Sequence, residues 1–384
     1  MKKIGYVVAL LAVAVAGCGA APSAGPIAQR TETTSPTETP TAIPTNTASP
    51  SITPPYPTDG YGPVNFPVGM DPLTGQTVRD PALLQRRPML IKVSNLPRNV
   101  RPQWGLSLAD IVFEYYAEEG TTRFAAIFYG QDASKVGPIR SGRFIDDYLV
   151  QGYKAVFAFG SAYVAERNRF NASDYAKRMV MEGPGKPLTR YDPNGYDYLM
   201  VNTAELGAYA TKQGFNGVQN LDGMSFKLDA AAGGQPGTQV YMHYSGAIYD
   251  RWDYDTASGS YLRFSDTANV TNIGQNEQYA QLTDRLTGQA LAIDNVVILY
   301  VIHDLYSPGI YDILLSGSGD GVAFRDGQAY TVRWRRNQTE VVALTLPDGS
   351  PYPFKPGNTW FEVIGLQSKV SQTGGSWQFM HAMP

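Results

Sequence analysis

The chain of 384 residues has one cysteine and three histidines, and only 17% of it is Asp, Glu, Lys or Arg. A single thiol cannot close a disulfide within the chain. His243, His303 and His381 share no metal-ligand spacing, so no metal and no cofactor are expected. The formal net charge is −3, which argues against a basic surface for nucleic acid. Apart from one short run near the start, there is no stretch of about 18 apolar residues that could span a bilayer. No Gly-x-Ser-x-Gly elbow occurs, although a Ser-His-Asp relay assembled in space stays open. The glycine-rich "GSGDG" at 317–321 is not followed by a helix carrying a lysine, so it reads as a loop between strands and not as a phosphate cradle.

What is present begins with "MKKIGYVVALLAVAVAGCGA": two lysines, an apolar run from Ile4 to Ala16, then small residues up to Cys18. This is the layout of a secretory signal. "VAGC" also matches the bacterial lipobox, which makes Cys18 the lipidation site and the first residue of the mature chain. Two or three acyl chains would hold the protein on a membrane far more firmly than one. Residues 31–58, "TETTSPTETPTAIPTNTASPSITPPYPT", are almost entirely Thr, Ser and Pro. Such a segment buries too little apolar surface to offset its ordering entropy, and its prolines stiffen it into a tether. Residues 1–18 are thus read as signal and lipobox, and 19–65 as a disordered linker.

The remaining body of about 320 residues suits two domains. Through residue 232, β-branched and aromatic runs ("MLIKVSN", "ADIVFEYYA", "TRFAAIFYG", "AVFAFG") alternate with stretches of helical spacing. One of those stretches is "SGRFIDDYLVQGY", with Asp146 and Asp147 away from its apolar stripe. A third helix should run from Thr203 to about Gly214. From 233 onward the text is all strands, and the Asp-Gly pairs in "FRDGQAY" and "LPDGSPY" suit hairpin turns. The fold class is α+β: a mixed α/β domain (66–232) followed by a β-rich domain (233–384). "LTGQ" occurs at 73–76 and again at 286–289, an echo too short to be called a repeat.

The segments "RPMLIKVSN", "RPQWGLSLADIVFEYYAEEGTTRFAAIFY", "VGPIRSGRF" and "FAFGSA" resemble the N-terminal domain of the YerB family of bacterial lipoproteins. "WDYDTASGSYLR", "NVVILY", "LLSGSGDGVAFRDGQAYTVRW" and "GNTWFEVI" resemble that family's C-terminal domain. The resemblance runs from about residue 70 to 365. It implies two domains, lipid anchoring and a molecular function that is not established; it supplies no catalytic residues.

Chemistry must therefore come from the residues. "VGPIRSGR" places Arg140 and Arg143 around Ser141 and Gly142. With Ser141 as the N-cap of a helix beginning near Gly142, free N–H groups and two forked cations would suit an anion. Arg123 and Arg101 can join them. The competing reading is that these arginines pin loops to carboxylates such as Asp110, Glu114, Glu118, Glu119, Asp146 or Asp147. Glu114 and Glu119 are also candidate acids or bases, but no spacing here matches an acid–base pair or a cation site. Trp252, Tyr254, Tyr261 and Trp334 interleave with Arg251, Arg263 and Arg333: either a sugar-stacking face, or a core row of aromatics with solvated arginines.

Two function classes follow. The first is a non-catalytic, membrane-anchored envelope lipoprotein with an N-terminal cleft for an anionic ligand or a protein partner. The second is an enzyme acting on a phosphate- or carboxylate-bearing envelope polymer or precursor.

Overall fold

Met89–Ser94 (β1) is buried along its whole length, its Met, Leu, Ile and Val side chains suiting the interior of a sheet and its Lys92 buried with them. This computed structural model describes residues 56–191 and 198–383. The signal, Cys18 and most of the tether lie outside the described residues. Strands β1, Ile111–Tyr116 (β2), Thr122–Phe128 (β3), Val156–Ala158 (β4) and Met179–Val180 (β5) form one half of an 11-stranded sheet. The other half comes from the C-terminal part of the chain. The order is Ala343–Thr345, Gln328–Arg336, Gly317–Arg325, Asn295–Val301, Thr359–Gly365, β2, β3, β1, β4, β5, and the eleventh strand, Gln235–Pro236, pairs with Gln328–Arg336 off this row. The seam is the parallel pairing of β2 with Thr359–Gly365, which sets Glu114 opposite Glu362. The two halves read from the sequence thus share one continuous sheet.

Strand alternation separates the two faces of this sheet. Leu90, Phe113, Tyr115, Ala125 and Phe361 face one core, which helices Phe144–Gly152 (α1) and Val164–Ala172 (α2) help to cover. Ile91, Val112, Phe124, Trp360 and Ile364 face the other. A second, seven-stranded sheet closes that side, ordered Tyr279–Gln281, Ser260–Asp266, Tyr249–Asp255, Gln239–His243, Ser376–Met380, Lys369–Thr373, with Ala292–Ile293 pairing Ser260–Asp266 off this row. Helix Thr203–Lys212 (α3) is capped by the Asn202 side chain and adds Leu206 and Ala210 to the same core.

The structure corrects several expectations. Residues 56–65 belong to the folded body and not to the linker: Tyr61 pairs its backbone with Phe226 and Tyr56 packs on the core. Two aromatic residues contribute enough apolar area to dock the end of the tether. Asp146 and Asp147 are buried, not solvated: Asp146 accepts from Tyr115, and Asp147 from Tyr175 at 2.8 Å. Trp252, Tyr261 and Trp334 are core residues, whereas Arg263 shares their inward face and is 1% exposed. In "FRDGQAY", Asp326 and Gly327 both take positive φ and close the hairpin as their residue types demand.

The "LTGQ" echo proves to be a repeated turn. Asp71 and Asp284 each stand two residues before it. Each accepts from the following Leu N–H at 2.8 Å and from the Gly N–H through its backbone carbonyl, and each donates its own N–H to the Gln carbonyl. Gly75 and Gly288 adopt φ of 65° and 73°, which the turn requires of them.

Candidate functional site

At the end of the sheet where β2 turns into β3, the segments around Ser94–Arg98, Glu118–Arg123 and Arg140 meet the loops at Ala247 and Asn269. They enclose a cavity of about 570 Å³. Its lining carries the guanidiniums of Arg98, Arg123 and Arg140 and the carboxylates of Glu118 and Glu119. Arg123 is in register with Ser94 on one side and Tyr115 on the other, so strand pairing alone brings it to the floor.

The sequence-predicted residues part company here. Arg123 donates to the Ser141 carbonyl at 3.0 Å and to Glu118. Arg143 donates to both oxygens of Glu118, to Oε2 at 2.7 Å, and stacks on the Tyr163 ring at 4.9 Å; it lies behind the cavity lining and is 5% exposed. Arg140 lines the cavity, with Nε on Ser94 Oγ at 3.1 Å. Arg101 lies outside it and clamps Asp266 through both carbonyl and carboxylate, at 2.8 and 3.1 Å. Arg98, not singled out from the sequence, reaches the cavity while bonding Asp266 at 2.5 Å and Asn269 at 2.9 Å.

The expected helix-start geometry is absent. Helix α1 begins at Phe144 with Arg143 at its N-cap, and Asp146 turns back to accept the Arg143 N–H at 2.7 Å. A carboxylate already occupies the helix start, so an anion gains little there. Ser141 caps nothing; its hydroxyl pairs with Ser161 at 2.7 Å. Gly142 is small for a packing reason: an added Cβ would lie 2.9 Å from the Phe170 ring and 3.2 Å from Phe157. Asp110 is remote from the arginines. It accepts from Tyr129 and Gly130 N–H beside Asp71, and burial raises its pKa to about 6. Glu114 is sealed in the core, while Glu119, at φ 50°, is exposed on the cavity rim.

Behind Arg123 lies a set that the sequence reading missed. Lys92, Tyr115 and Asp146 are all fully buried; the Tyr115 hydroxyl donates to Asp146 at 2.5 Å, and Lys92 Nζ lies 3.3 Å from the same carboxylate and against the hydroxyl. Burial lowers the Lys92 pKa to about 8, with Asp146 opposing and Arg123 adding to the fall. Burial beside Arg143 brings Arg123 down to about 10. Burial pushes Glu118 up, but the hydrogen bonds and charge of Arg143 and Arg123 outweigh it and hold its pKa below the usual range. The signal was in "MLIKVSN": Lys92 sits at the inward parity of Leu90 and Ser94.

Residues 73–216 match the N-terminal domain, and residues 240–361 the C-terminal domain, of a protein family of unknown function, DUF3048. The chain belongs to this family. It is 30% identical over 307 residues, 76% of this chain and 85% of the other, to a Bacillus subtilis protein that bears the name lipoprotein YerB. The crystal structure of the Bacillus subtilis YerB protein aligns with a TM-score of 0.63 at 27% identity, over 77% of this chain and 96% of that one. The α+β architecture with a β-rich C-terminal part is therefore the family's own.

Proposed function

We propose that this member of the DUF3048 family is a lipoprotein anchored to the extracytoplasmic face of a membrane through Cys18, and that its cavity binds a phosphate- or carboxylate-bearing envelope ligand. The lipobox spacing and the lipoprotein name of its Bacillus subtilis relative support the anchor. One observation carries the binding reading: three guanidiniums, from Arg98, Arg123 and Arg140, converge on one cavity against two carboxylates, of which Glu118 is already engaged. A second cleft, of about 630 Å³, is lined by Arg87, Lys154 and Arg178 together with Asp174.

Thermal shift with inorganic phosphate, sulfate, acetate and glycan fragments tests the reading on the wild type and on Arg123→Ala and Arg140→Ala. Anions should raise the transition temperature of the wild type and raise it less in either variant. No stabilisation of the wild type by any anion would end the proposal.

The enzyme reading draws on the buried Lys92–Tyr115–Asp146 set, whose amine is lowered toward neutrality one layer beneath Arg123. Glu114 does not serve as its base, since its oxygens accept from Asn95, Thr122 and Arg263. Lys92→Met in a fold that still binds anions separates the two: turnover of an envelope polymer lost with binding kept favours the enzyme.

A further inference from the structure

Glu114, Asp250 and Glu362 present carboxylate oxygens within 4.8 Å of one another, and none of the three is more than 1% exposed. Glu114 and Glu362 come from neighbouring parallel strands of the large sheet, and Asp250 from Tyr249–Asp255 in the second sheet. One cation lies among them. Arg263 Nη2 is 2.6 Å from Glu114 and 3.1 Å from Asp250, and Nη1 is 3.1 Å from Glu362. Three carboxylates and one guanidinium leave two negative charges sealed from water, where uncompensated charge costs several kcal/mol per ion.

The hydrogen bonds show which part is uncompensated. Glu114 accepts from Asn95, Thr122 and Arg263; Glu362 accepts from Tyr244, Trp252 and Arg263. Asp250 accepts from no donor: both its oxygens are buried without a hydrogen bond, and the 3.1 Å approach of Arg263 lacks hydrogen-bond geometry. Ser265, the register partner of Asp250, is 4% exposed and its hydroxyl is equally unpartnered. Register partners point to the same face of a sheet, so this hydroxyl and the Asp250 carboxylate stand side by side on the inward face of the second sheet.

We propose that Glu114, Asp250, Glu362 and the Ser265 hydroxyl hold a divalent cation of the calcium class that staples the two sheets together. The charge then closes: minus three, plus one, plus two. An all-oxygen donor set selects hard cations over zinc or copper. Three oxygens within 4.8 Å of one another lie at most about 2.8 Å from a common centre, a few tenths of an ångström outside the roughly 2.3–2.6 Å of a Ca–O contact, so a small inward turn of the carboxylates lets one ion reach all three. Arg263 donates to Glu114 and Glu362 and so orients them, as hydrogen-bonded neighbours of metal ligands do. With the ligands sealed from solvent, the ion enters as the sheets close and leaves only when they open.

The full-length protein, unfolded in denaturant with EDTA, is refolded with calcium, magnesium, manganese or EDTA alone. It is then desalted for elemental analysis and melted. The wild type should retain one equivalent of calcium and melt higher than the EDTA-refolded sample. Asp250→Asn should retain none and melt alike in both. Should Asp250→Asn fail to fold, Ser265→Ala decides, because it removes only an unpaired hydroxyl. Refolded at graded calcium concentrations, it should need about tenfold more calcium than the wild type to fill the site, and an equal requirement overturns the site. Retention of no metal by the wild type, with equal melting in all four conditions, also overturns it. Protons on the buried carboxylates then supply the balance.

Discussion

Arg143 holds both oxygens of Glu118, and Arg123 shares one of them, so a single carboxylate restrains two of the four arginines that the sequence pointed to. Glu118→Gln should release that restraint. Losing charge-assisted bonds at this partly exposed carboxylate costs roughly 1.5–3 kcal/mol each. At the same time Arg123 gains freedom to meet a ligand. The expected outcome is a lower melting temperature together with tighter phosphate binding in the cavity, read by calorimetry on the same samples. A fall in both would mean that Glu118 shapes the binding surface itself.

Gly142 tests the packing account of the "VGPIRSGR" loop. Gly142→Ala puts a methyl against Phe170 and Phe157, and overpacking of this kind costs about 1–3 kcal/mol. Chemical denaturation should record that loss, while anion affinity stays near wild type because the glycine serves the aromatic cluster.

Acid should loosen the C-terminal end. Burial lowers His303 to about 4 and His381 to about 3, the latter helped by its neighbour His303. The unfolded chain takes up protons on these histidines near pH 6.5, and the folded chain does not until about pH 4 or below. Their contribution is present above pH 6.5 and is lost as pH falls toward 4 and 3. Melting followed from pH 7 to pH 4 should therefore drop less steeply in a His303→Gln, His381→Gln double variant than in the wild type.

The tether makes a contrasting pair. Deleting residues 31–54 should leave the melting temperature unchanged, since a Thr/Pro-rich composition offers too little apolar area to stabilise a fold. Tyr56→Ala should lower it, because that ring sits edge-on to Tyr61 at 4.8 Å and against the core.

Cys18→Ser should move the protein from the membrane fraction to the soluble extracytoplasmic fraction, as followed by fractionation and immunoblotting. Persistence in the membrane pellet would place the anchor elsewhere.

Much of the fold was legible because the signals were local. The runs at Met89, Ile111 and Thr122, the Asn202-capped helix and the Asp326–Gly327 hairpin each specify themselves within a few residues. The pairing of Glu114 with Glu362 was not legible, because it joins positions far apart in the chain through strand order, which no local period encodes. The arginine loop misled for a related reason. Gly142 beside Ser141 looks the same in sequence whether it admits a ligand or a phenylalanine, and the ring that settles the matter is Phe170, on another helix. Lys92 was readable, as a charge at an inward strand position, and Arg263 was hidden by aromatic neighbours that made a solvated row look natural.

The seam between β2 and Thr359–Gly365 also sets the order in which the sheet can be completed if the chain is exported as proposed. A chain threaded across a membrane emerges N-terminus first, so β2 arrives with its neighbours β1 and β3 long before residue 359. Until then β2 is an open edge with apolar faces, the arrangement most prone to pair with other chains. Closure waits for nearly the whole polypeptide. A lipid anchor attached at the leading end would hold each emerging molecule at the membrane throughout that interval, and the long hydrophilic stalk would keep its unfinished sheet clear of the translocation exit.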